Sequence, residues 1–125
     1  MRSTDTAHVD LGGDGILSVR ILTDAAQSIA NARDNLSAAL EVGAGQRRPL
    51  LVDISEAQPL EAEVRHFYSG QVLVDGFTAL ALVIHASPFG RMMGNVYFRV
   101  ARPGIPTRLF TEPEQARAWL MAYRV

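Results

Sequence analysis

Two apolar segments constrain the fold of this chain more than any other feature. PLLVDI, at 49–54, and FTALALVI, at 77–84, are apolar at nearly every position rather than at alternate ones. Such runs are typical of strands that other elements cover on both faces, as in a parallel sheet. A segment with helical spacing, beginning at Pro59 and ending at Gly70, separates them. We therefore expect a mostly parallel sheet with FTALALVI as a central strand.

The segments on either side complete the predicted architecture. In AHVDLGGDGILSVRI, at 7–21, apolar and polar residues alternate on both sides of GGDG, which predicts a hairpin. A last short strand is expected at Thr107–Phe110. The predicted fold class is α/β: a mixed sheet of about five strands, with an N-terminal hairpin followed by parallel strands, and about four helices. Residues 1–125 are assigned to one domain, with residues 1–6 as a flexible N-terminal tail.

Capping signals set the predicted helix boundaries. The first helix is expected over 24–40, the second over 59–70 and the third over 87–102, where Ser-Pro gives a strong helix start. The final helix is expected after the last strand. Two capping boxes are predicted, one for the first helix and one for the last, formed by Asp24 with Gln27 and by Thr111 with Glu114.

The composition excludes several classes of function. The chain has no cysteine, which removes disulfides and cysteine nucleophiles and fits a cytoplasmic protein. A net charge of −1 gives no general attraction to nucleic acid, and no apolar run is long enough to span a bilayer. His8 and Asp10 share one strand face but lack a third ligand, so neither a metal nor a cofactor is expected. All twelve basic residues are arginine, which fits a GC-rich genome or bidentate recognition of anions.

The order of elements resembles that of STAS domains, the SpoIIAA-like fold of anti-sigma-factor antagonists. The resemblance is closer to small bacterial proteins of uncharacterised function with this fold. It covers residues from about 8 to 123 and is carried by LLVDIS, RHFYSG, SPFGRMMGN and PTRLFTEPEQARAWL. In the antagonists, a kinase phosphorylates a serine of an Asp-Ser-Ser-Gly type motif after a strand. Here EAQPLEAEV follows LLVDIS, with neither a second Asp-Ser pair nor a glycine.

The matching strand end carries the candidate switch or ligand loop of Asp53, Ser55 and Arg65. In the functional interpretation, Ser55 accepts a phosphate that the next helix start stabilises. In the alternative interpretation, Ser55 turns the chain by bonding nearby backbone, and Asp53 forms a structural ion pair with an arginine, for which Arg65 is the first candidate.

The predicted third helix carries a candidate interface opposite its apolar stripe. This face consists of Arg91, Asn95, Phe98 and Arg102. An aromatic residue flanked by arginines is typical of protein interfaces, so the face predicts a homodimer or another docked protein. The alternative is a single exposed aromatic ring packed under arginine side chains.

Taken together, these features predict a non-catalytic binding or regulatory module that acts through protein–protein contacts. The alternative is a domain that binds a small anion, such as a nucleotide or lipid, between the Ser55 loop and residues 87–91. An enzyme would require a pocket that unites Ser55, Asp53 and His66, because no nucleophile elbow is present in the sequence.

Overall fold

The computed structural model describes residues 2–23, 26, 28–57, 62–67, 71–87 and 104–124. Its strands are β1 (Arg2–Ser3), β2 (Ala7–Leu11), β3 (Leu17–Ile21), β4 (Arg48–Asp53), β5 (Phe77–Val83) and β6 (Thr107–Phe110). Its helices are α1 (Ile29–Val42), α2 (Ala62–Phe67), α3 (Gln71–Gly76) and α4 (Pro113–Leu120), and a 3-10 turn at Met121–Tyr123 follows α4. The predicted helix over 87–102 lies largely outside the described residues.

The described strands form one mixed sheet in the order β1-β2-β3-β4-β5-β6. The first three strands are antiparallel neighbours, and the pairs β3–β4, β4–β5 and β5–β6 are parallel. This confirms the predicted mixed α/β sheet of an N-terminal hairpin followed by parallel strands. Because β3 to β6 run the same way, the sheet has a carboxyl end, where these strands finish, and an amino end, where they begin.

The sixth strand is β1, which lies inside the segment assigned to a flexible tail. Arg2 pairs with Val9 and Ser3 with His8 at the edge of the hairpin. Thr4 closes the turn into β2, because its N–H donates to the Ala7 carbonyl at 2.9 Å and its Oγ1 accepts the Ala7 N–H at 3.1 Å. Arg2 also forms an ion pair with Glu41 of α1. A two-residue strand is too short to give an alternating pattern, so the sequence did not reveal it.

The first helix begins later than the capping box of Asp24 and Gln27 predicted. Ser28 is its N-cap: Ser28 Oγ accepts the Asn31 N–H at 3.1 Å, and Asn31 Oδ1 accepts the Ser28 N–H at 3.0 Å. Asn31 occupies the position that Glu or Gln usually fills in a capping box, which explains why the sequence pattern did not reveal it. Asp24 and Gln27 lie outside the described residues.

The second predicted helix, over 59–70, corresponds in part to α2, and a further helix, α3, follows it. Gly70 predicts the end of helical structure before β5, yet α3 runs to Gly76 and leads directly into that strand. A Cβ at Gly76 would lie 2.9 Å from Leu40 Cδ2, so α3 ends in close contact with α1. The sequence did not predict this helix, whose end packs against a residue far away in the chain.

The helices cover the two faces of the sheet unequally. On one face, α1, α2 and α3 contribute Leu36, Val64 and Leu73 to the larger apolar cluster. On the other face, α4 packs over β4 and β5 through Ala116 and Leu120 in a smaller cluster. β5 is buried at almost every position, as expected for a strand covered on both faces.

The start of α4 also differs from its prediction. Glu112 is the N-cap without a side-chain hydrogen bond, and Pro113 opens the helix, so the expected capping box of Thr111 and Glu114 is wrong. Proline at this position has φ preset for the helix and lacks an N–H that would otherwise need a partner, so the helix starts without a cap bond.

Candidate functional site

The candidate loop after β4 is a tight turn at the carboxyl end of the sheet. The Asp53 carboxylate accepts both the N–H and the hydroxyl of Ser55, with distances to Oδ1 of 2.9 Å and 2.6 Å. Ile54 N–H donates to the Val83 carbonyl at 2.9 Å, and Ala57 N–H donates to the Ile54 carbonyl at 3.1 Å. The side chains of Asp53 and Ser55, which the sequence singled out, are both half-buried. The hydroxyl of Ser55 therefore points back to its own turn.

Neighbouring loops add further polar groups at this end. Thr23, after β3, donates its hydroxyl to Glu56 Oε2 at 3.3 Å and so ties two loops together. His85, which follows β5 after Ile84, is exposed. This end of the sheet thus presents a mixture of hydroxyl, carboxylate and imidazole groups.

The turn continues into a row of polar residues on the sheet face that α4 packs against, across the part of that face that no described helix covers. Consecutive register partners form this row, which we call the polar strip: Ser3, His8, Arg20 and Asp53. Ser3 Oγ lies 2.9 Å from His8 Nδ1, and Arg20 is exposed. α4 packs on β4 and β5, so β2 and β3 present this face without a covering helix among the described elements.

The structure leaves part of the predicted site undescribed. Arg65 lies in α2, but its side chain is outside the described part of the chain, as is every residue of the predicted interface of Arg91, Asn95, Phe98 and Arg102. These residues therefore remain predictions.

The described groups do not assemble a metal site. His8 bonds Ser3, and no cluster of three or more His, Asp or Glu side chains suited to a metal occurs among the described residues. His66 and His85 are both exposed.

A basic cleft, which the sequence did not predict, lies at the opposite, amino end of the sheet. It has a volume of about 510 Å³ and lies between the β2–β3 turn, the chain entering β4 and the end of the 3-10 turn. Its basic residues are Arg47, Arg48 and Arg124, and Asp14 is its acidic residue. The Arg-Arg pair before PLLVDI was a visible signal. Only the fold, however, brings to it Arg124 and the β2–β3 turn at residues 12–15, which we call the glycine turn.

No helix among the described residues is both long and apolar enough to cross a lipid bilayer. A search of curated proteins found no match to the chain.

Comparison with solved structures identifies the fold. An uncharacterised protein of the DUF3478 family with a SpoIIAA-like fold, from Shewanella loihica PV-4, superposes with a TM-score of 0.62 at 16% sequence identity, covering 96% of this chain and 98% of that one. A protein with unknown function from Arthrobacter sp. FB24 gives a TM-score of 0.35 at 26% identity, covering 96% of each chain. The first similarity confirms the SpoIIAA-like fold that the sequence predicted.

A family model matches nearly all of the chain. It is the model of a domain of unknown function, DUF7793, and it covers residues 11–124. The chain therefore belongs to the DUF7793 family and has a SpoIIAA-like α/β fold.

Proposed function

We propose that this protein is a non-catalytic binding module that acts through protein–protein contacts and that its partner is a second copy of the same chain. The observation that carries the proposal is the polar strip, a row of exposed and half-buried side chains on a sheet face that α4 covers only in part. A binding function needs such an accessible surface.

The groups at the carboxyl end support binding rather than catalysis. Ser55 donates its hydroxyl to Asp53, whose carboxylate also holds the Ser55 N–H, so this pair already makes the hydrogen bonds of a local turn. A nucleophile is activated by a base that is in turn oriented by a third group. Among the described residues, no contact supplies that third group to Asp53 or Ser55.

The charges of the strip favour a second copy as the partner. Arg20 makes no ion pair with another described residue, and its register partner Asp53 bonds Ser55 instead. In a two-fold interface, each residue of the patch meets the same patch on the other subunit. A strip that carries both signs can therefore place Arg20 of one copy beside a carboxylate of the other.

Native mass spectrometry of the wild type and of Arg20→Glu tests this function. We expect a dimer for the wild type and a monomer for Arg20→Glu at the same concentration, because the variant replaces an attraction by a repulsion. Arg33→Glu is the matched control, since Arg33 is exposed on α1 on the other face of the sheet.

The sequence-derived interface supplies a competing variant, Phe98→Asp. Loss of the dimer in Phe98→Asp but not in Arg20→Glu would assign self-association to residues 91–102 rather than to the polar strip. A wild-type monomer at all concentrations would reject self-association altogether.

A further inference from the structure

We propose that the basic cleft at the amino end of the sheet binds a small molecule through a phosphate group. The site is distinct from the polar strip, which lies towards the opposite end of the sheet. It therefore goes beyond the proposed function, and neither depends on the other.

The first argument is charge. Arg47, Arg48 and Arg124 line the cleft, and none of them lies within ion-pair distance of a carboxylate of another described residue. The acidic residue of the cleft, Asp14, is engaged elsewhere: its Oδ1 accepts the Ile16 N–H at 3.1 Å, and its Oδ2 lies 3.7 Å from Arg117 Nη1. The cleft thus keeps a positive charge that its own residues do not neutralise.

The second argument is that neutral groups hold the arginines in place. Arg47 Nη2 donates to the carbonyls of Val74 and Phe77 at 2.9 Å and 2.8 Å. Arg48 Nε donates to the Gly43 carbonyl at 3.1 Å. Each guanidinium has five N–H donors in a rigid fork, so these bonds fix its position and leave other donors for a ligand.

The third argument is that the glycine turn leaves space on one side of the cleft. Gly15 has φ of +81°, in the left-handed region that favours glycine, and a Cβ there would lie 3.7 Å from Arg124 Cδ. At Gly13, by contrast, a Cβ would meet no atom within 4 Å, and φ is not in the left-handed region. The turn therefore lies against Arg124 at Gly15 and leaves space at Gly13.

These features together specify the ligand class. Arginine recognises phosphate oxygens through parallel N–H···O bonds, and three arginines from two segments of the chain, Arg47 with Arg48 and Arg124, suit an anion with several oxygens better than a single carboxylate. A volume of about 510 Å³ exceeds that of a bare phosphate and falls within the range of sites for small organic ligands. The structure thus points to a phosphate ester rather than to a phosphate ion alone.

The test is a titration followed by ¹H–¹⁵N NMR at low ionic strength, with inorganic phosphate, glucose 6-phosphate and citrate as probes. We expect saturable shifts of the Gly13 and Gly15 amides and of the arginine Nε–H groups with both phosphate probes, and tighter binding of the ester. The absence of saturable shifts at these groups would overturn the proposal. Citrate binding tighter than both phosphate probes would also overturn it, because the site would then be one for carboxylates.

Two variants and one control make the test specific. Arg124→Gln should weaken binding about tenfold, as expected for the loss of one charge-assisted contact. Gly13→Asp should abolish it by placing a carboxylate in the space beside the glycine turn, with no steric or backbone reason to unfold. Arg33→Gln removes the same charge from α1, away from the cleft, and should bind like the wild type. If Arg33→Gln and Arg124→Gln weakened phosphate binding equally, the overall charge of the protein would explain the effect, and the proposed site would be rejected.

Discussion

The two ends of the sheet differ in the sign of the charged side chains that neutral groups hold in place. At the carboxyl end, the Asp53 carboxylate is occupied by the backbone and the hydroxyl of Ser55, and Glu56 accepts the hydroxyl of Thr23. At the amino end, Arg47 and Arg48 donate to uncharged carbonyls. Neutral partners position a charge without cancelling it, so the amino end, where the charges held in this way are positive, is the better site for an anionic ligand, even though the sequence resemblance pointed to the carboxyl end.

Leu120→Ala should have the largest effect, because it loosens the helix that precedes Arg124. Leu120 is completely buried in the smaller cluster, so we expect the free energy of unfolding to fall by about 2–5 kcal/mol. Urea denaturation measures this change. Met121→Ala is the control, since Met121 is 37% exposed and its truncation should change stability by less than about 0.5 kcal/mol. Equal losses in the two variants would contradict the packing described for α4.

Asp53→Ala should lower the free energy of unfolding by about 1–3 kcal/mol, because it removes the acceptor of two hydrogen bonds. Asp53→Asn keeps an oxygen at the same position and should cost less. Guanidinium denaturation of both variants compares them. If Asn were as damaging as Ala, the charge of Asp53 rather than its turn geometry would matter, and neutral hydrogen bonds would not account for how the carboxyl end holds this side chain.

The smallest expected effect is a difference in stability between variants of two arginines of the cleft. Arg47→Met removes bonds of 2.9 Å and 2.8 Å to two carbonyls and should cost about 1 kcal/mol of stability. Arg124→Met removes two bonds of 3.3 Å from an exposed side chain and should cost less than about 0.5 kcal/mol. Thermal unfolding of the pair measures the difference. A larger loss for Arg124 would make it a structural residue rather than one available to a ligand.

The sequence predicted the central strands and the fold, but not the parts that depend on distant contacts. β6 has the predicted bounds, Thr107–Phe110, because its residues follow a turn with strong local signals. By contrast, β1 depends on the turn that Thr4 closes and on pairing with β2 of the hairpin. The helix α3 ends in contact with Leu40 of α1. Neither contact leaves a pattern in neighbouring residues.

The same limit applies to the candidate sites. Asp53 and Ser55 are adjacent in sequence, so a turn at this position could be predicted from turn chemistry. The basic cleft joins Gly13, Arg47 and Arg124, which are far apart in the chain and meet only after α1 and α4 have packed on opposite faces of the sheet. No pattern of spacing in the sequence predicts that such residues form one site.

The strand order has a consequence for how the molecule is made. Each of the six described strands pairs only with its predecessor and its successor in the chain. A growing polypeptide can therefore add every strand to an edge that is already present, without waiting for a later segment to insert between earlier ones. Arg124, which follows α4, joins last, so nascent chains still lacking it would have the sheet but not the complete cleft.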